Sequence, residues 1–274
     1  MRYSNPHLPA SEYTANNKHE LREMFKLLVI AILIIAGVVF LIDRLVYLFS
    51  PYIPFSWEST LVENIPLINK NIEQKHTDIK ALKQEKMLQK RVDIIASNMN
   101  LPKDMKITAH YLEGATVNAF ATLGGHVFVY HGMLEKIKYQ EELDALLAHE
   151  IAHVYKRHIT QQMSRAILIS VILTTAKLNH SGFGRWLLGD GSNIGLLAYS
   201  RVAEQESDEN ACHISLKLHG HTQGVVKLMQ QLNLVAQQQG YEWTKSHPDT
   251  KSRILFAQQY RLGEQKLKPM KLLF

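Results

Sequence analysis

The chain has 274 residues, 46% of them hydrophobic, with a formal net charge of +6 and a sequence pI of about 9.2. That is enough apolar material for one good core and a smaller appendage. A single cysteine, Cys212, excludes an intramolecular disulfide and a thiolate-rich metal site, and it reads as a small core residue. The basic excess is spread, apart from Lys70 to Arg91, and no nucleic-acid motif accompanies it. Solubility or attraction to anionic lipid is expected, and a nucleic-acid partner is not.

Residues 1–26 are polar with two prolines and are expected to form a loosely ordered cytoplasmic tail. Leu27–Ile42 is apolar apart from Gly37, and after Asp43 and Arg44 the run resumes as Leu45–Phe49. About 20 residues cross the hydrocarbon core of a bilayer, so 27–49 predicts a transmembrane helix with Asp43 and Arg44 near one interface. A cleaved signal peptide fits less well, because the run is too long, starts late and precedes no small-residue cleavage site. Lys18, Arg22 and Lys26 lie before the span, and beyond Arg44 no Lys or Arg appears until Lys70. The positive-inside rule then keeps the N-terminus in the cytoplasm and carries the chain from about residue 51 across the membrane. In a Gram-negative bacterium this describes a single-pass inner-membrane protein whose main domain is periplasmic.

Residues 50–100 read as a linker and an amphipathic helix. Ser50–Pro54 and Trp57 suit an interface, and Ile72, Ile79, Leu82, Leu88, Val92, Ile95 and Met99 form an apolar face opposite a lysine-rich one. Pro102 ends that helix, and 101–262 is the expected main domain. Ile107–Tyr111, Val117–Ala121 and Val127–Tyr130 predict three short strands, with Gly124-Gly125 as a turn signal, and the pattern suggests an antiparallel β-meander. The fold class is therefore α+β, mainly helical, with a small antiparallel meander and one N-terminal transmembrane helix.

The segment after the strands carries the chemistry. His149-Glu150-Ile151-Ala152-His153 lies in a helix-like run from Glu141 to His158. Positions i and i+4 share one helix face, so His149 and His153 can ligate one metal ion, with Glu150 placed to take a proton from water activated by that ion. Leu143, Leu146, Leu147, Ile151 and Val154 add an apolar stripe, so the helix belongs in a core rather than on the surface. Buried imidazoles need partners, and a metal supplies them. The chemistry implied is peptide hydrolysis. A strand beside the metal can pair with an extended substrate backbone, and Asn118, Ala119 and Phe120 are the residues expected there.

Ala166–Ala176 is a second apolar run, too short to span and expected to be buried. Glycines crowd residues 181–195, a loop that is either a lid or a plain connection. Helical patterns follow at Val225–Gln239 and Arg253–Leu262, and 263–274 is a short C-terminal extension. A catalytic zinc takes three protein ligands and keeps a fourth position open. Downstream carboxylates lie in Ser200–Asp208, where Glu204 and Asp208 share a helix face and Glu206 points elsewhere. One of the two can bind metal while the other orients a histidine ligand.

HEIAH, followed some fifty residues later by SRVAEQESD, resembles the HtpX and CAAX prenyl protease family of membrane zinc metallopeptidases, in particular a bacterial branch akin to the mitochondrial OMA-type protease. NAFATLGGHVFV, Tyr199-Ser200-Arg201, His247-Pro248, Arg253, and a YIPF segment with Glu58 support the likeness across most of residues 20–260. The resemblance implies one Zn²⁺ per chain bound by His149, His153 and Glu204, with Glu150 as base and acid. It implies Asp208 as the carboxylate behind a ligand, and Arg253 as the anchor of the His-Pro segment. It also implies His247 near the metal, either hydrogen-bonding the oxyanion or filling the open zinc position at rest. Where the family has Ala before the Asp, this chain has Ser207. Expected partners are unfolded or misassembled envelope proteins and the lipid bilayer. Two other readings stay open: a catalytically silent, zinc-stabilised membrane chaperone, and a di-iron site built on Glu150/His153 and Glu73/His76.

Overall fold

The computed structural model describes residues 17–63, 78–164, 198–239, 246–247, 250–260 and 269–273. The 166–176 run, the 181–195 loop, Ile72, Glu73, His76 and Pro248 lie outside the described residues. By internal contacts the chain divides into Met1–Leu45 and Val46–Phe274.

The first helix, α1 (Asn17–Phe49), starts well upstream of the apolar run at Leu27. Its first turns are rich in strong helix formers, and Lys26 pairs with Glu23 at 2.8 Å one turn away. Residues 17–26, expected as part of a loose tail, thus extend the helix. This helix is long and apolar enough to cross a membrane, and none of its most apolar window is buried by protein.

In the second unit a short 3-10 turn (Ser50–Tyr52) leads to α2 (Phe55–Glu63). Helix α3 (Ile79–Asn98) is opened by Asp78, whose carboxylate accepts the Ala81 N–H at 3.3 Å. It buries Ala81, Leu88, Val92 and Ile95 at helical spacing. Leu88, Val92, Ile95 and Met99 are buried as the sequence pattern predicts, but Ile79 and Leu82 are exposed, and Ala81 faces the core in the first turns instead.

Three strands follow: β1 (Thr108–Leu112), β2 (Ala119–Ala121) and β3 (His126–Tyr130). The strands fall where the sequence puts them, and β2 and β3 form the expected antiparallel hairpin. They do not form a meander. The order is β1-β3-β2, and β1 runs parallel to β3 with Thr108 opposite His126. A parallel pair needs a long crossover, and residues 113–125, which include β2, supply it. The reason is burial. Val127, Phe128 and Val129 are shielded almost completely, so β3 takes the centre, where both of its edges are paired. The expected sequential arrangement would have left this strand at an edge.

The β2–β3 turn fixes the free edge of β2. Gly125 has φ +80, and a Cβ there would fall on the Lys106 carbonyl oxygen. Left-handed backbone costs a side-chain-bearing residue about 1–2 kcal/mol before any clash. Gly125→Ala is therefore expected to lower stability by about 2 kcal/mol or more, read as a shift of the urea midpoint of the detergent-solubilised chain.

From β3 the chain enters α4 (His131–Lys136) and then α5 (Gln140–Tyr155), the HEIAH helix. Glu142 caps its start by accepting the Lys138 and Tyr139 N–H groups at 2.7 and 3.2 Å. Every residue from Glu141 to Val154 is buried, as expected for a core helix. Asp144, on this helix, takes Arg91 Nε and Nη2 at 2.7 and 2.5 Å and His219 Nε2 at 2.8 Å, tying α5 to α3 and to the next helix. That helix, α6 (Arg201–His219), is opened by Ser200, which accepts the Ala203 N–H, and closed by left-handed Gly220. It buries Glu204, Ser207, Asp208, Ala211 and Ser215 on one face. Helices α7 (Gln223–Gln239) and α8 (Thr250–Gln259) complete the described helical core. The C-terminal segment returns to α5: Lys271 N–H donates to Glu141 at 3.0 Å, and Tyr139 and Leu272 form an antiparallel bridge.

Candidate metal centre

Helix α5 presents His149 and His153 one turn apart, with their Nε2 atoms 3.1 Å from each other. Helix α6 brings Glu204 opposite, its Oε1 at 3.4 Å from His153 Nε2 and its Oε2 at 3.7 Å from His149 Nε2. His247 closes the group, with Nδ1 at 2.9 Å from Glu204 Oε1 and 3.3 Å from His149 Nε2. One donor atom from each of these four buried residues lies within 4.8 Å of all the others.

These separations fit a metal ion. A tetrahedral zinc with N and O donors at about 2.0–2.1 Å has donor–donor edges of roughly 3.3–3.4 Å, and the edges among His149 Nε2, His153 Nε2, Glu204 Oε1 and His247 Nδ1 given above, 2.9–3.4 Å, lie near that value. Charge balance agrees. Glu150, Glu204 and Asp208 are all buried around the cluster, and Arg253 reaches the last two. A bound divalent cation would compensate the charge that Arg253 leaves, and would favour the ionised form of Glu150. Burial pushes the His247 imidazole down to about 4, although the neighbouring Glu204 works the other way. Burial likewise holds His153 well below the ordinary range, against the opposing pull of Glu204. Neutral imidazoles are the form that ligates metals.

The outer contacts orient the donors. Asp208 Oδ1 lies 3.0 Å from His149 Nδ1, which leaves Nε2 facing the cluster. Asp208 is in turn gripped by Arg253, Nε to Oδ2 and Nη2 to Oδ1, both at 2.7 Å, and Arg253 Nη1 reaches Glu204 Oε2 at 2.6 Å. Burial alone would raise both carboxylates. Arg253 with His149 holds Asp208 below its usual value, and His247, Arg253 and His153 hold Glu204 well below. The Arg253 guanidinium thus lies on the two carboxylates, at the base of the cluster.

Glu150 is fully buried beside the donors. The Ala121 backbone N–H lies on its carboxylate side and works to lower its pKa, and its Oε1 is 3.6 Å from His247 Nε2. Burial, and then the charge of Glu204, raise it well above the ordinary carboxylate value, the direction a general base needs. Ala119–Ala121 is the edge strand, and the Asn118 and Thr122 main chains face β3. By alternation, the Ala119 and Ala121 main chains face away from β3, along the free edge, with Ala121 on the Glu150 side. Asn118 is buried, and Phe120 stacks on Phe128 across the hairpin.

Two contacts on His153 escape sequence reasoning. The Tyr199 ring stacks on His153 at a centroid distance of 3.8 Å and 21°, and its main-chain N–H binds Ser246 O at 3.0 Å, fixing the approach of His247. His158 Nδ1 sits 3.0 Å from His153 Nδ1, and His158 Nε2 sits 3.1 Å from Glu206 Oε2. Glu206 does point away from the Glu204–Asp208 face, and this is where it goes. No periodicity announces the His153–His158 contact, because five residues is not a helical spacing. It arises because Arg157 adopts φ 62 and breaks α5 just before His158.

An HExxH helix, a later glutamate on a second helix and a bordering strand edge define the class of metal-dependent peptidases. The model of Peptidase family M48 matches residues 82–261, and the chain belongs to that family. It is 33% identical over 156 residues to the mitochondrial metalloendopeptidase OMA1 of Schizosaccharomyces pombe, covering 55% of this chain and 45% of that one. It is 25% identical over 185 residues to the mitochondrial metalloendopeptidase OMA1 of Bos taurus, covering 58% and 34%. A beta-barrel assembly-enhancing protease of Yersinia pestis is 28% identical over 153 residues, covering 50% and 31%. The chain spans less than half the length of these curated relatives.

Proposed function

We propose that this chain is a membrane-anchored zinc metalloendopeptidase. The four-donor cluster of His149, His153, Glu204 and His247, with Glu150 beside it, carries the reading. Zinc bound there supplies Lewis acidity toward water and the scissile carbonyl. Glu150 takes the proton of the attacking water and later delivers it to the leaving amine. The Ala119–Ala121 edge, entered from Asn118 and backed by Phe120, aligns an extended substrate through main-chain hydrogen bonds. That mode accepts many sequences and suits unfolded or misassembled proteins. His247 donates to the oxyanion once it leaves the donor group. Asp208 holds His149, and Arg253 holds Asp208 and Glu204. Helix α1 anchors the enzyme as a single span, and the lysine and arginine distribution favours a periplasmic catalytic domain in a bacterial inner membrane. The names of relatives, one of them a beta-barrel assembly-enhancing protease, support a role in envelope protein quality control.

A second reading has one observation in its favour. His247 already stands at the fourth corner of the cluster, as a silent zinc-stabilised chaperone requires. One experiment separates the two. The full chain in detergent is assayed for metal content and for casein cleavage, with and without a chelator. One zinc per chain, with cleavage lost on chelation and restored by added zinc, is the expected result. Zinc without cleavage, even after His247→Ala, selects the silent protein. Cleavage indifferent to chelator sinks both.

A further inference from the structure

We propose that His158, held by Glu206, is a positioning residue that fixes the tautomer and ring orientation of His153. The inference rests on the reading of His153 as a metal ligand. The two Nδ1 atoms face each other at 3.0 Å, so a single proton lies between them. If His153 turns the lone pair of Nε2 toward His149 and Glu204, its ring proton must be on Nδ1, and it donates to His158 Nδ1. His158 then carries its own proton on Nε2, which donates to Glu206 Oε2 at 3.1 Å. Reversing the chain puts a proton on His153 Nε2, pointed at His149 Nε2 only 3.1 Å away. That arrangement denies the metal a lone pair.

The surroundings enforce this direction. Ser207 Oγ lies 3.4 Å from His158 Nδ1, so its hydroxyl can donate to the same lone pair. Ser207 is the residue at which the chain departs from the alanine expected by resemblance, and here the extra hydroxyl has a partner. Tyr199 covers one face of the His153 ring, and both His153 and His158 are buried. The left-handed Arg157 brings His158 back over His153, and that residue is held by Glu58 at 2.6 Å and by the Ile53 carbonyl at 2.8 Å. Each ligand histidine of α5 thereby has its own outer partner. His149 has Asp208, backed by Arg253, and His153 has His158, backed by Glu206. Glu206 and Asp208 lie two residues apart on α6, so one helix sets both rings.

The test is the rate at which the zinc-loaded full chain in detergent gives up its metal to an excess of chromogenic chelator. His158→Leu removes the acceptor and is expected to release zinc about 10- to 100-fold faster than wild type. His158→Asn, whose Oδ1 can stand where Nδ1 stood, is expected to recover most of the loss. Cobalt substituted for zinc gives a spectroscopic signature, with visible bands shifted in the leucine variant and close to wild type in the asparagine variant. Equal release from the leucine and asparagine variants overturns the proposal. Should His158→Leu fail to fold, as judged by circular dichroism, Glu206→Ala decides. The Glu206 side chain is 32% exposed, so its loss leaves the core intact. Several-fold faster release supports the relay, and unchanged release overturns it. A wild-type chain that binds no zinc sinks the metallopeptidase reading itself, a result distinct from tight binding that ignores His158.

Discussion

Glu150→Gln protein is expected to keep its metal and to cleave an unfolded substrate about 10²- to 10⁴-fold more slowly than wild type. The substitution preserves volume in a position with no solvent exposure. What it removes is a site for a proton. Burial and the charge of Glu204 raise the Glu150 carboxyl well above its usual range, which makes it a stronger base than an exposed carboxylate and brings it toward neutrality, where proton transfer is most effective. Because Glu150 is not among the four clustered donors, metal content should be unchanged. Initial rates on casein, together with metal analysis of the same preparation, check both halves. A wild-type rate sinks the base assignment. Loss of the metal makes Glu150 a ligand instead.

The parts of the centre that sequence discloses are those set by local geometry. His149, Glu150 and His153 are readable because four residues on a helix return to the same face, and the buried stripe of Leu143, Leu146, Leu147 and Ile151 says which way that face looks. The pairing of Glu204 with Asp208 on α6 is readable for the same reason, though their separate roles came only from resemblance. Strand order was not readable. Each strand announces itself by alternation, but whether β2 or β3 takes the centre depends on which strand needs two covered edges. Contacts such as Tyr199 on His153, or Arg253 on Asp208, join residues 46 and 45 positions apart, and no periodic signal survives that distance. His158 fails differently. It is close in sequence, yet its position depends on one left-handed residue, Arg157, whose conformation is held by Glu58 and Ile53 from α2 and the turn before it.

Arg253 depends on long-range partners in the same way and is expected to be a sensitive structural residue outside the donors. Arg253→Met is expected to lower the stability of the chain by about 3–5 kcal/mol, the range for stripping one partner from a buried ion pair. Three guanidinium nitrogens reach two carboxylates at 2.6–2.7 Å, and both carboxylates are 2% exposed or less. Methionine fills the space but leaves Asp208 and Glu204 facing each other across a low-dielectric gap. Lysine should rescue little, because one ammonium cannot reproduce the two parallel bonds to Asp208 and the third to Glu204. The sign of the pH effect follows from the same contacts. Asp208 and Glu204 are held below their ordinary values, so their contribution is present above the unfolded-state carboxylate range. It is lost as pH falls through the lower folded-state values. With methionine at 253 that hold is weakened, so the stability gap between wild type and variant should be full near neutrality and shrink on acidification. Urea titrations of the metal-free chains at two pH values measure it. A gap below about 1 kcal/mol at neutral pH would mean that water or another side chain takes over from the guanidinium, and that Arg253 does not organise the base of the cluster.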